Sequence, residues 1–180
     1  VTDLLQRTIY ETISVGPEDT DCDFRCGHHS LDDFLNRHAI SNDQQGVGKT
    51  FVLHSDPGEG NQPKVLGFYT LSMANVKTKT VESAISGSLP RYDMPVALIG
   101  RLAVHKYAQG RGVGPRLLRD ALLRVCDIAD QIGCIGIIVD AKDENAAHFY
   151  SRFGFIPIYK GSWPNRMFMP LSVARDSLRR

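Results

Sequence analysis

Apolar residues recur every three or four positions through Val113, Leu117, Leu118, Ala121, Leu122, Val125, Ile128, Ala129 and Ile132, and Gly133 follows. That period predicts a helix over 113–132 that buries one face and stops at a glycine. On both sides the pattern changes to short, nearly continuous apolar runs, 96–104 before the helix and 135–139 after it. Such runs suit strands covered on both faces. Strand, helix and strand at this length predict a βαβ unit with parallel strands.

The rest of the chain supplies shorter elements. Residues 10–15, 50–54 and 65–73 read as strands, the last two forming a hairpin across a polar turn at 55–63. Leu31, Phe34, Leu35, Ala39 and Ile40 have helical spacing, with Ser30 as the cap and Asp33 completing an acidic capping box. Residues 77–94 are polar and basic and read as a loop or short helix. Asp143 caps a further helix that turns Ala146, Ala147, Phe149 and Tyr150 inward and ends before Gly154. Strands at 155–159 and 167–171 complete the order. The expectation is one α/β (α+β) domain, a mixed sheet of about six or seven strands flanked by helices, with 1–9 and 173–180 as terminal extensions.

Composition narrows the partners. The 180 residues are 42% hydrophobic and 23% charged, with a formal net charge of +1, so a nucleic-acid surface has to be a local patch. No run approaches the eighteen apolar residues of a membrane span, and 1–7 lack the pattern of a secretion signal, so a cytoplasmic location is expected. Four cysteines do not make a disulfide framework. Cys22, Cys26, His28 and His29 stand close together, but no second pair at finger spacing follows, so no metal is expected.

Chemistry concentrates between the third strand and the long helix, in Gln109-Gly110-Arg111-Gly112-Val113-Gly114. A glycine-rich loop opening a helix offers unpaired backbone N–H groups and the positive end of the helix dipole to a diphosphate. Glycine lets the phosphates approach the backbone. The lysine of a P-loop is missing, and the acidic residue that should end the next strand of a Rossmann unit has only Asp130 as a candidate, inside the helical pattern. What remains, Gln-x-x-Gly-x-Gly between strand and helix, resembles the coenzyme A pyrophosphate loop of the GNAT acyltransferases.

A second GNAT signature is Ala146-x-x-Phe149-Tyr150-x-x-x-Gly154-Phe155, on its expected helix. A narrower resemblance rests on the runs around Cys26-Gly27, Leu31-Asp32-x-Phe34-Leu35, Lys49-Thr50-Phe51-Val52, Gly67–Ser72 and Gly100-Arg101-Leu102-Ala103-Val104. These look like the TacT-type GNAT toxins of bacterial toxin–antitoxin pairs. The resemblance implies the GNAT fold, acetyl-coenzyme A as cosubstrate, and transfer of acetyl to the α-amino group of aminoacyl-tRNA, which blocks translation. It also implies a homodimer and a ribbon-helix-helix antitoxin. Three positions depart from the pattern: Asp143 where many GNAT enzymes carry Asn, His105 in place of Asp, and Lys49 in place of Arg.

By this resemblance Tyr150 is the catalytic donor to the coenzyme A sulfur. The cofactor positions are Leu102, Ala103, Val104, Gln109, Gly110, Arg111, Gly112, Val113, Gly114, Asp143 and Phe149. Lys49, Lys77, Lys79, Arg91 and Arg101 are the candidate RNA contacts, while Arg116, Arg119 and Arg124 read as a solvated face. A partly buried Arg101 must reach the substrate groove or pair with a carboxylate. An α-amine with a pKa near 8 needs no strong base, and no acidic residue beyond the ordinary candidates Glu11 and Asp32 stands by the motifs. Two other readings fit the same motifs: an acetyltransferase of a small-molecule or protein amine, and a non-catalytic coenzyme A-binding module.

Overall fold

The computed structural model describes residues 10–56, 62–159, 161 and 163–179. Residues 1–9 and most of the 55–63 turn lie outside them. Among the described residues, seven strands form one sheet in the order β1-β2-β3-β4-β5-β7-β6: β1 Ile13–Ser14, β2 Lys49–His54, β3 Val65–Val76, β4 Met94–Val104, β5 Gly136–Ala141, β6 Ile156–Pro157 and β7 Asn165–Pro170. Every neighbouring pair is antiparallel except β4 with β5. A parallel pair needs a crossover, and α4 (Val113–Ala129) supplies it, as the alternation of patterns predicts.

α4 packs its apolar stripe on the sheet. Leu117, Leu118 and Ala121 are fully buried, among Tyr69, Leu71, Ile99, Ile137 and Val139. Each buried leucine contributes about 1.5–3 kcal/mol relative to exposure. The helix ends at Ala129, four residues before Gly133, and the stripe is shorter than its spacing suggests: Ile128 and Ile132 are 45% and 47% exposed. Residues 173–178, expected to be an extension, belong to α6 (Leu171–Leu178), whose Ala174 is fully buried in the same core.

The other face of the sheet carries α1 (His29–Asp33), a π-helical turn over Phe34–His38, α2 (Ala39–Gln44) and the short α3 (Thr78–Val81). Phe24, Phe34, Leu35 and Phe68 form the core beneath α1 and α2. The first of these helices begins at His29, with His28 as its cap residue, so the Ser30 cap is not formed. Asp32 instead turns back to accept the Cys26 N–H at 2.7 Å. The first strand is also shorter than its pattern. Asp120 of α4 accepts the Glu11 N–H at 2.6 Å and the Thr12 hydroxyl at 2.5 Å, which takes 11–12 out of the ladder.

Candidate active site

The site originates in one extra residue. Thr70 pairs with Arg101 and Leu71 with Ile99, so Gly100 has no partner in β3. This bulge bends β4. Pairing with β5 is confined to Ala97–Ile99 against Ile137–Val139, and beyond Gly100 the two parallel strands part. The His105 N–H donates to Leu66 O at 2.9 Å. By the alternation of an antiparallel ladder, the main-chain groups of Leu102 and Val104 then face the opening.

A cleft of about 710 Å³ occupies the opening. Leu102, Ala103 and Val104 line it on the β4 side, and Gln109, Gly110, Gly112 and Gly114 line it at the loop. Asp143, Phe149 and Tyr150 of the 143–151 segment face them. The sequence motifs, separated along the chain by α4 and β5, therefore meet across one gap. α5 (Glu144–Ser151) is capped as expected, with Asp143 Oδ1 accepting the Ala146 N–H at 2.8 Å.

Gly110 and Gly112 have φ of +73° and +81°, a left-handed conformation that favours glycine, and a Cβ built on either meets nothing within 4 Å. Among the described residues, the N–H groups of Gly110, Gly112, Val113 and Gly114 find no acceptor. Four free donors at the N-terminus of a 17-residue helix, with open space in front of them, fit a diphosphate. The Val113 side chain itself is buried in the core, so it offers only its main chain. Arg111 stacks on Tyr107 at 4.4 Å beside the loop and does not line the cleft.

The Tyr150 ring is held by Phe149 and Phe155, with centroids 5.1 Å and 5.5 Å away. Among the described residues its hydroxyl has no hydrogen-bond partner, although the residue is only 8% exposed and lines the cleft. Burial pushes this phenol above its ordinary pKa. Tyr150 therefore remains protonated at neutral pH, with its O–H free to donate a hydrogen bond.

The cationic candidates gather elsewhere. None of Lys49, Lys77, Lys79, Arg91 and Arg101 lines the cleft. Lys49 is paired with Asp43 at 2.6 Å. Lys77, Lys79 and Arg91 are exposed, and among the described residues none has an ion-pair partner. Arg101 meets neither expectation fully: it is partly buried and stacks on Phe34 at 3.8 Å, without a carboxylate among the described residues. Arg124 is not on a solvated face. It is 14% exposed, pairs with Asp120, donates to the Tyr69 hydroxyl and the Thr12 carbonyl, and lies over Tyr10 and Phe51. Glu11 is engaged by Arg116 at 2.6 Å, so it is no base for the cleft.

Sequence reasoning missed Lys142, Asn145 and Arg152, which also line the cleft, and the part played by Gly100. A glycine inside an otherwise apolar strand was the available signal. Cys26 and His28 border the cleft, where burial raises the Cys26 thiol to about 11. Its sulfur turns to His28 O at 3.8 Å. Among the described residues no cluster of His, Cys, Asp and Glu is arranged to hold a metal ion.

Residues 48–157 match the family described as Acetyltransferase (GNAT) domain. A tRNA-acetylating toxin of Mycobacterium tuberculosis (strain ATCC 25618 / H37Rv) is 39% identical over 132 residues, 73% of this chain and 75% of that protein. A probable toxin TacT of Sinorhizobium fredii (strain NBRC 101917 / NGR234) is 29% identical over 161 residues, 85% and 86% of the two chains. AtaT complexed with acetyl-methionyl-tRNAfMet superimposes with a TM-score of 0.77 at 27% identity, over 91% of this chain and 96% of that one. A variant of AtaT bound to the C-terminus of the antitoxin AtaR and to acetyl-CoA gives 0.73 at 26% identity, over 94% and 98%. Fold and cleft thus define an acetyltransferase. The chain belongs to the GNAT acetyltransferase family.

Proposed function

We propose that this chain is a toxin that moves an acetyl group from acetyl-CoA to the α-amino group of aminoacyl-tRNA and so blocks translation. The observation that carries the reading is the Tyr150 hydroxyl, without a partner among the described residues, set in the same cleft as Gly110, Gly112 and Gly114 with their free backbone N–H groups. The substrate class is supported by the tRNA-acetylating relative and by the likeness to AtaT with acetyl-methionyl-tRNAfMet.

The cosubstrate supplies the acyl group as a thioester. In this reading the amides of Gly110, Gly112, Val113 and Gly114 hold its diphosphate, with Arg111 beside them. Leu102, Ala103 and Val104 align its arm along β4, and the main-chain N–H groups facing the cleft polarise the acyl carbonyl. Asp143 fixes the start of α5, and Phe149 packs beneath the loop, its ring 3.5 Å from a Cβ built on Gly114. The Tyr150 O–H donates to the departing sulfur. An ordinary phenol is already a weaker acid than a thiol by about 2 kcal/mol, and burial widens that gap. The residue therefore strengthens a hydrogen bond rather than surrendering its proton. No strong base is needed to free the nucleophile, because an α-amine is substantially neutral near pH 8; its C–N bond forms as the C–S bond breaks, and the proton the nitrogen then sheds leaves with the thiolate as the coenzyme A thiol or passes to water.

Lys77, Lys79 and Arg91, with Lys49 and Arg101, supply contacts to RNA phosphates. The protein works in the cytoplasm as a homodimer held in check by a ribbon-helix-helix antitoxin. A complex of AtaT with the C-terminus of AtaR supports an antitoxin partner. The decisive experiment incubates the protein with charged tRNA and acetyl-CoA and reads the aminoacyl end by mass spectrometry. An acetylated α-amine is the expected product. Untouched aminoacyl-tRNA alongside an acetylated peptide or small amine would replace the toxin reading with a general acetyltransferase.

A further inference from the structure

The amides of Gly110–Gly114 hold the middle of the cosubstrate, and its acyl arm runs toward β4 and Tyr150. The adenosine, with its 3′-phosphate, leaves the diphosphate on the opposite side. Pro115 is the next residue of α4 after Gly114 and has no N–H, so the row of free donors ends there and an apolar ring begins. Phe149 packs against the loop at Gly114, and the Phe153 ring follows it, 5.2 Å away between centroids. Arg152 stands one turn beyond Phe149 on the same side of α5. Pro115, Arg152 and Phe153 all line the cleft.

Pro115 and Phe153 also line a second, apolar groove of about 230 Å³, whose other walls include Arg119 and Leu122 of α4 and Leu178 of α6. Sharing two residues, the two cavities are continuous, so the cofactor cleft extends between α4 and α6. α6 runs antiparallel to α4: Arg175 pairs with Asp130 at the C-terminal cap of α4, whereas Leu178 faces the first turns of that helix. The last turn of α6 thus closes the groove opposite Pro115.

Cations flank the mouth of this groove. Arg119 lies one turn along α4 from Pro115, and Arg152 adjoins Phe153. Both are exposed, and among the described residues neither has an ion-pair partner. Arg116, on the same rim, is occupied by Glu11 at 2.6 Å. Lys142, the other cation that lines the cleft, acts instead on the Cys26 thiol, in the segment that Gln109 ties to β4.

We propose that the adenine of the cosubstrate enters the groove between Pro115, Phe153 and Leu178, and that Arg119 and Arg152 hold its 3′-phosphate. α6 is then a wall of the cofactor site, and the chain distinguishes CoA from 3′-dephospho-CoA. This rests on the diphosphate placement above. Continuity with the cleft and charge select the occupant. A flat base suits apolar walls, and a phosphate dianion beside them suits two guanidinium groups that no carboxylate among the described residues has claimed.

Calorimetry on the full chain should show CoA bound about tenfold or more tighter than 3′-dephospho-CoA, the range for losing hydrogen bonds to a charged group. Arg119→Ala combined with Arg152→Ala should abolish that preference and leave affinity for 3′-dephospho-CoA within a few-fold. Leu178→Asp puts a carboxylate in the groove and should weaken both nucleotides by about tenfold. Saturation-transfer NMR reads the base on the unmodified chain, which covers the case in which Leu178→Asp loosens α6. Adenine H2 and H8 of bound CoA should be saturated as strongly as the pantetheine methyl groups.

A parent that binds CoA and 3′-dephospho-CoA alike, or a preference that survives the double substitution, overturns the phosphate contact and leaves the amide cradle standing. Adenine protons without saturation overturn the groove. A double variant that loses tRNA affinity but keeps the nucleotide preference assigns the arginines to RNA and overturns the proposal. A parent that binds no CoA at all takes the diphosphate placement with it.

Discussion

Gln109 Nε2 donates to Val104 O at 2.9 Å and to Cys26 O at 2.8 Å, so one side-chain amide ties the glycine loop to β4 and to the segment before α1. Its position ahead of the three glycines is therefore structural as well as local. The anchor of the loop is thus fixed on the strand that lines the cleft. Gln109→Glu keeps the shape but turns two donor contacts into a carboxylate facing two carbonyls. The expected cost is about 1–3 kcal/mol. Calorimetry should show acetyl-CoA binding weakened by about tenfold or more, and unchanged affinity would show that the loop needs no such anchor.

Tyr150→Phe keeps the ring that Phe149 and Phe155 pack against and removes a hydroxyl that has no protein partner among the described residues. Stability should change little. Single-turnover acetylation should slow by about one to three orders of magnitude, as for other transition-state donors that are removed. Acetyl-CoA affinity should stay within a few-fold. An unchanged rate would remove Tyr150 from the chemistry.

The pH profile separates donor from base. Burial raises the Tyr150 pKa above its ordinary value near 10, so the donating form is fully populated from neutral pH up to that value. The substrate amine loses its proton through about pH 8. Initial rates at subsaturating aminoacyl-tRNA, corrected for ester hydrolysis, should therefore rise through that value and level off. Tyr150→Phe should follow the same curve at a lower plateau. A falling limb between about pH 8 and 10 that disappears in the variant would contradict a raised phenol.

Local pattern made α4, the βαβ crossover and the two signature motifs legible, because each depends on residues near one another in sequence. The Asp143 cap and the burial of Tyr150 follow from the same helical period. What stayed hidden depends on distant partners. Arg124 reads as one more helix-surface arginine until Thr12 and Tyr69 come to meet it. The Ser30 cap had a sound local motif, but the chain before it uses Asp32 instead. Arg101 had two expected outcomes, and the ring of Phe34 offered a third. Gly100 was visible as a motif letter, yet its bulge appears only when the β3 register is known.

Register also makes a stability prediction. A Cβ built on Gly136 would lie 2.4 Å from Met169 O and 2.5 Å from the Phe168 ring, so β5 and β7 approach closely only because this residue has no side chain. Gly136→Ala forces backbone apart in the middle of the sheet. The expected loss is about 2 kcal/mol or more, or about 4–8 °C in Tm for a chain of this size. A melting temperature equal to the parent's would mean that β7 yields without cost.

RNA binding should be separable from cofactor binding, because the exposed cations stand apart from the cleft. Lys77 precedes α3 and Lys79 lies within it, Arg91 follows in the next loop, and none of the three lines the cleft that holds the glycine loop and Tyr150. With a net charge of only +1, the chain has no general attraction for polyanions, so a patch must do the work. Each phosphate that a cation neutralises releases counterions, and the slope of log K against log salt shrinks by about 0.7–0.9 for every phosphate left without its cation. Replacing all three with Ala should weaken tRNA binding and flatten that slope by about 2–3, whatever the aminoacyl group. Acetyl-CoA affinity should be unchanged, since its amide cradle is intact. A variant that retains the parent's salt dependence would move the RNA surface elsewhere, with Arg101 beside Phe34 and the cleft-lining Lys142 and Arg152 as the next positions to change.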